Sequence, residues 1–272
     1  FFAWLEKHGP AREASGAPVT ELEAEEHILA FRQMSELFVE PSFRSISAAA
    51  GHAAMCHYAA SPASDAPITA KGVYLLDSGG QYLTGTTDAT RTTALGPLSA
   101  EIRRSYTAVL KGFIAMMSLK FPAGTCGHHV DAFARRPLWD LGLDYDHGTG
   151  HGVGHFLSVH EQPQRFDRRI NEIVLAPGMV TTIEPGYYKA GEYGIRIENQ
   201  VEVVADTDGF LGFRTLTLVP IDLRLADLAH LTSAERRWLN AYHAEVASAM
   251  DGLLDADDAA WLTARTMPIE AG

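Results

Sequence analysis

The sequence predicts an α+β fold built from two pseudo-symmetric halves. Short β-branched runs joined by glycine turns occur as a pair twice, each pair follows helical sequence, and each carries carboxylates. With 272 residues and 46% hydrophobic content, the chain can bury one large core or two small ones. Identity between the two pairs is too weak to count as a repeat, so the duplication rests on the order of elements.

The opening FFAWLEKHGP reads as the end of an amphipathic helix, and the missing initial Met points to the carboxy-terminal part of a longer polypeptide. Thr20 and Glu23 form a capping-box start, and Leu22, Ile28, Leu29, Phe31, Met34, Leu37 and Phe38 recur at helical spacing, which predicts a helix over 21–38. Strands follow at 73–77 and 88–95, with Gly79, Gly80 and Gly85 between them. A helix begins near Ser99, carries Ile102, Tyr106, Val109, Leu110, Phe113, Ile114 and Met117 on one face, and should end before Pro122. The segment VDAFARRPLWDLG is also helical in period, but Pro137 removes a backbone donor and should kink or divide it. FLSVHE is strand-like, strands follow at 179–184 and 194–204, and TLTLVP reads as one more. Gly186, Gly191 and Gly194 supply the turns of this second pair. Thr232 and Glu235 cap a helix bearing Trp238, Leu239, Tyr242, Val246 and Met250, and a short helix near 257–265 closes the chain.

A net charge of −12 with no run of Lys and Arg argues against a nucleic-acid partner. No apolar run approaches the roughly 20 residues that span a bilayer, so no membrane partner is expected. Cys56 and Cys126 cannot form a disulfide framework, which favours a reducing, cytoplasmic setting. Each is read as structural, although Cys56 beside His57 raises the alternative of a nucleophilic thiol.

Chemistry is concentrated in three segments. Asp77 and Asp88 bracket DSGGQYLTGTTD, Glu184 and Glu198 bracket EPGYYKAGEYGIRIE, and His151 lies in the glycine-flanked HGTGHGVGHFLSVHE. Singly, Asp77 and Asp88 would be turn residues, whereas an acidic Glu198 inside an apolar strand needs a partner. Four carboxylates brought together repel unless cations neutralise them, and two divalent ions match their charge. Oxygen ligands with one imidazole suit Mn²⁺ first, with Zn²⁺ or Co²⁺ as alternatives. Gly148, Gly150, Gly152 and Gly154 lack the strand, helix and distal acid of a dinucleotide fingerprint, and more simply let backbone pass close to a crowded site. Cys126, His128 and His129 resemble a metal cluster without a fourth ligand, and His155 is read as solvent-facing.

LLDSGGQYLTGTTDATRT, LDYDHGTGHGVGHFLSVHE, TTIEPGYY and YGIRIEN, with FFAWLEKHGP and LTLVPID at either end, resemble the Xaa-Pro aminopeptidases, metallopeptidases of the pita-bread fold. The resemblance implies a curved antiparallel sheet covered by helices, with 1–222 as the catalytic domain and 223–272 as its helical carboxy-terminal extension, a segment often used in dimerisation. It implies that Asp77 binds one metal, that Asp88 and Glu198 bridge both, and that His151 and Glu184 complete the ligand set of the second metal. By the same likeness His57 and His160 hold substrate and its developing oxyanion, and His147 lines the leaving-residue pocket. Arg196 pairs with a ligand aspartate, Tyr188 is an active-site tyrosine, and Glu184 serves as general acid and base. The implied substrate is a peptide with proline second. Prolidase, methionine aminopeptidase and a non-catalytic pita-bread binding module are the alternatives. Arg214 before TLTLVP, Pro137 in a helix, and the absence of two amino-terminal domains depart from the family pattern.

Overall fold

Helix capping and an amphipathic register set the frame. The computed structural model describes residues 1–270. Helix α1 spans Phe2–Ala14 and continues past Pro10, and α2 spans Glu21–Gln33. Thr20 accepts from the Glu23 N–H, but the Glu23 carboxylate turns to Arg12 at 2.6 Å instead of closing a capping box. Helix α2 ends five residues before the predicted boundary at Phe38, because Met34 and Leu37 are exposed and find no core to pack against. The Ser35 carbonyl then accepts from the Phe38 N–H at 3.1 Å, turning the chain into the strand Phe38–Pro41.

Helix α3 spans Ala100–Met117 behind its Ser99 cap and buries the predicted face from Tyr106 to Met117. It packs directly on α4, Gly127–Trp139. The close approach needs Gly112, since a Cβ there would lie 2.0 Å from the Ala134 carbonyl oxygen. The expected break at Pro137 does not occur, and α4 runs through it to Trp139. Proline removes only the bond to the Phe133 carbonyl near the helix end, and Phe133 is 48% exposed, so water can replace that donor.

In the first half, Ile46–Ala49, Val73–Ser78 and Ala89–Ala94 form one three-stranded antiparallel sheet, and Phe38–Pro41, Gly80–Tyr82 and Gly85–Thr86 form another. The second half holds a six-stranded antiparallel sheet ordered Phe121–Pro122, Phe210–Thr215, Asn199–Ala205, Val180–Ile183, Gly150–Gly152 and Glu161–Phe166. The strand expected at TLTLVP lies earlier, at Phe210–Thr215, because the N–H groups of Leu216 and Thr217 both reach the Gln200 carbonyl and end the ladder. FLSVHE is not a strand either: Gly154 N–H bonds the Ser158 carbonyl at 2.9 Å in a tight loop, and pairing starts at Glu161.

The long strand predicted over 194–204 is two, Tyr193–Arg196 and Asn199–Ala205. Its interruption has a cause. Ile197 N–H turns to the Pro185 carbonyl at 3.3 Å, and Glu198 N–H crosses to the Thr90 carbonyl at 3.1 Å. Thr92 adds reciprocal bonds with the Arg196 backbone at 3.1 and 3.0 Å. The two halves are thus stitched edge to edge along Thr90–Thr92. Arg91, buried in the seam, donates to the Glu198, Val219 and Pro220 carbonyls, to Asn199 and to the Tyr242 hydroxyl. Tyr242 belongs to α5, Ser233–Ala249, whose Thr232–Glu235 capping box forms as predicted. Helix α6, Ala256–Arg265, closes over α1, where Arg265 pairs with Glu6 and Lys7 with Asp257.

Candidate metal centre

Strand pairing brings the first two carboxylates together. Val73–Ser78 pairs with Ala89–Ala94 so that Asp77 faces Thr90 and Ser78 faces Ala89, which leaves Asp88 at the mouth of the same pair. Glu198 enters at the strand interruption, and Glu184 follows Val180–Ile183 with its N–H bonded to the Thr149 carbonyl at 2.7 Å. His151 sits in Gly150–Gly152, held by its N–H to the Thr182 hydroxyl at 3.1 Å. Gly150 is required beside it: a Cβ would stand 1.9 Å from the Thr182 carbonyl oxygen.

Single ligand atoms of Asp88, His151 and Glu198 lie within 4.8 Å of one another. His151 Nε2 is 3.5 Å from Asp88 Oδ2 and 3.5 Å from Glu184 Oε1. Its Nδ1 lies 2.8 Å from the Gly152 carbonyl and must donate there, which leaves the Nε2 lone pair for the carboxylate side. Arg196 Nη2 donates to Asp77 Oδ2 at 2.6 Å, while Asp77 Oδ1 is buried with no hydrogen-bond partner among the described residues.

Burial, reinforced by the Asp77 and Glu184 charges, pushes the Asp88 carboxyl well above the usual range. Burial does the same to Glu198, with Asp88 and Asp77 adding to it, and raises Glu184 against the opposing charges of His151 and Arg196. An orphaned carboxylate oxygen, an imidazole lone pair and three carboxyls strained toward their neutral forms fit a site built for divalent cations.

Behind this cage runs a directed chain of hydrogen bonds. Arg196 Nη1 donates to the Tyr188 hydroxyl at 2.8 Å, and Tyr188 lies 2.8 Å from His147 Nε2. His147 Nδ1 must donate to the Gly148 carbonyl at 2.7 Å, so Tyr188 is the donor to Nε2. Burial, and then the Arg196 charge, lower the His147 pKa to about 3, which keeps the ring neutral. Tyr188 is held in its protonated form by burial.

His57 and His160 are exposed on the rim, and the His160 ring lies 4.3 Å from that of His151 at 83°. Apart from Tyr188, which sits behind the wall, all the predicted site residues line one cavity of about 430 Å³. Cys56 lines it too, but burial pushes its thiol up, away from the thiolate form that a nucleophile needs. Cys126 and His129 cap α4, His128 bonds the Asn171 carbonyl at 2.9 Å, and His155 is exposed.

Sequence reasoning overlooked three residues. Thr90 donates to Glu198 Oε2 at 2.7 Å and accepts from Arg196 Nε at 3.1 Å; strand alternation from Asp88 would have placed it on the same face. Fully buried Glu21 accepts from the N–H of Ala49 at 2.6 Å and of Ala66 at 3.3 Å and from the Tyr58 hydroxyl at 2.7 Å, and lies 3.0 Å from His52 Nδ1. It thereby ties down the loop that carries His57, yet an acid in a first helical turn reads as a surface residue. Arg165 lines the cavity with no flanking motif to single it out.

Residues 2–205 match the model of metallopeptidase family M24, and 209–269 match that of the C-terminal region of M24 peptidases. The chain belongs to family M24. Among its M24 relatives, the probable Xaa-Pro aminopeptidase P of Fusarium vanettenii is 44% identical over 281 residues, covering 99% of this chain and 45% of the relative. That of Coprinopsis cinerea is 45% identical over 280 residues, covering 99% and 44%. The X-prolyl aminopeptidase of Caenorhabditis elegans, described as a cytosolic enzyme with a di-nuclear active site, matches at TM-score 0.93 and 41% identity over 98% of this chain and 44% of that one. Prolidase from Pyrococcus furiosus matches at 0.64 and 29% over 72% and 55%. The M24 pita-bread fold is therefore the fold of this chain. The chain spans less than half the length of the curated M24 relatives it matches.

Proposed function

We propose that this chain is the catalytic part of an Xaa-Pro aminopeptidase, releasing the first residue of peptides whose second residue is proline. The observation that carries the reading is the meeting of Asp77, Asp88, His151, Glu184 and Glu198 in one cavity, on a fold shared at TM-score 0.93 with an X-prolyl aminopeptidase. In this reading Asp77 would hold one cation, Asp88 and Glu198 would be shared between two, and His151 with Glu184 would complete the ligand set of the second cation. Manganese is the first candidate for both, with zinc or cobalt next. Bound there, the cations would polarise the scissile carbonyl and lower the pKa of the attacking water.

The chain's own groups supply the rest. Glu184 takes the proton released as water oxygen bonds to the carbonyl carbon, and returns it to the proline nitrogen as the C–N bond breaks. His57 and His160 donate hydrogen bonds to the developing oxyanion. Arg196 orients Asp77, and neutral His147, held by Tyr188 from behind, lines the pocket for the leaving proline. Proline's tertiary amide carries no N–H, so a pocket fitted to its ring excludes ordinary residues by shape.

A prolidase would use the same ligand types on the same fold; the weaker match to the Pyrococcus enzyme, at TM-score 0.64, disfavours it. The five-residue constellation disfavours a binding module without catalysis, and the same experiment separates methionine aminopeptidase. Purified chain with manganese is offered Ala-Pro-Ala, Ala-Pro and Met-Ala-Ala. Release of alanine from the tripeptide supports the reading. Cleavage of the dipeptide alone indicates prolidase, release of methionine alone the third enzyme, and absence of bound metal a non-catalytic module.

Residues 223–272 serve, in the same proposal, as a helical extension of the one domain, supported by the α6 pairing with α1. A homodimer through this extension, further amino-terminal domains and a cytoplasmic location complete it. Among the described residues no helix is long and apolar enough to cross a membrane.

A further inference from the structure

Arginines line the cavity beside the carboxylates, and one of them makes no hydrogen bond among the described residues. Arg44 is held by Glu25 at 2.9 and 3.2 Å, and Arg169 by Asp167, with Nη2 at 2.6 Å. Arg165 lines the same cavity, yet its guanidinium makes no hydrogen bond to any described residue and its Nε is buried. Its terminal nitrogens carry no hydrogen bond among the described residues and are open to an anion in the cavity.

The strand register fixes where this donor works. Arg165 is the direct cross-strand partner of His151, and residues paired in this way project from the same face of the sheet. Arg165 therefore rises beside a candidate metal ligand and into the same cavity. We propose that Arg165 binds a carboxylate of the substrate located one or two residues beyond the proline, making this cavity selective for short or acidic peptides. This rests on the aminopeptidase reading above.

Chemistry narrows the ligand. A guanidinium fork matches a carboxylate with two parallel N–H bonds, here from the two terminal nitrogens, since Nε is buried out of reach. A peptide's amino end must lie at the carboxylate floor for the first residue to be removed, so an anion reaching Arg165 comes from the other direction. An extended chain advances about 3.3 Å per residue, which places the next one or two residues within an arginine's length of His151. The carboxylate comes either from the chain terminus of a tripeptide or from an Asp or Glu side chain in a longer one.

Wild type, Arg165→Gln, Arg165→Lys and Arg165→Glu are compared, with manganese, on Ala-Pro-Ala, Ala-Pro-Ala-amide and Ala-Pro-Asp-amide. Wild type should favour the free acid over the amide by about tenfold in kcat/KM, mostly through KM. Arg165→Gln should lose that ratio, Arg165→Lys retain part of it, and Arg165→Glu invert it. A high rate on Ala-Pro-Asp-amide assigns the anion to a side chain, a low one to the terminus. Calorimetric binding of the product Pro-Ala and its amide to the same four proteins gives a readout without turnover. Tighter binding of the acid only where residue 165 is cationic supports the role, and equal or absent binding of acid and amide by wild type overturns it. Were no tripeptide cleaved, the aminopeptidase reading would fall while calorimetry still decided Arg165.

Discussion

Thr90 holds Glu198 Oε2 at 2.7 Å and is itself held by Arg196 Nε at 3.1 Å, so one hydroxyl fixes which oxygen of the bridging candidate faces the cavity. Thr90→Val keeps the shape and removes the hydroxyl. It should weaken metal affinity by about tenfold, the low end for residues that orient a ligand. Competition with a chelator of known affinity measures this, and unchanged affinity would remove Thr90 from the design. Asp88→Ala should be harsher, abolishing hydrolysis and most bound manganese as counted by elemental analysis; near-normal turnover would refute the bridge. Charged and titratable members of the site were legible in the sequence because burying them together has few explanations besides cations. Thr90 was not, since a threonine in a strand already satisfies β-propensity. Arg165 was not, because its position opposite His151 is a property of register, which a single strand does not reveal.

Elements show the same division. Helix starts were readable at Ser99 and Thr232, where a hydroxyl meets the exposed N–H groups of the first turn. The end of α2 was not, because apolar periodicity continues to Phe38 while the core it would face does not. The strand over 194–204 looked continuous, and only the other half of the molecule, through Thr90, breaks it. Glu21 works at this scale as well. Joining the first turn of α2 to Ala49, His52, Tyr58 and Ala66, it anchors the loop that presents His57. Glu21→Gln keeps the volume but leaves a donor facing donors, and should cost about 1–3 kcal/mol in urea unfolding. An unchanged midpoint would show that the loop is held by other contacts.

At the scale of the whole molecule, α5 is locked to the seam through a neutral histidine. His243 Nε2 accepts from the Ile221 N–H at 3.1 Å, and burial, with Arg91 nearby, lowers its pKa to about 4. In the unfolded chain the ordinary value is about 6.5, so the unfolded state binds the extra proton between these limits. The contribution of His243 is therefore complete above pH 6.5 and is lost as pH falls toward 4, by about 3 kcal/mol. His243→Gln preserves an acceptor that does not titrate and should flatten that part of the stability curve. Identical acid slopes for both proteins would contradict the assignment. The α+β class and paired halves were legible because strand and helix periods alternate along the chain. The unequal sheets were not, since Gly150–Gly152 and Glu161–Phe166 lack β-branched residues.

The seam also says something about how the site comes into being. Thr90 and Glu198 are 108 positions apart, and Asp77 and Arg196 are 119, yet each pair closes within hydrogen-bond distance. Such distant contacts form late in folding, after the loops between them have been closed. Neither half made alone would own a complete cage, so competence to hold cations arises only when the halves dock. Metal uptake during refolding should therefore report the last step of assembly rather than the first.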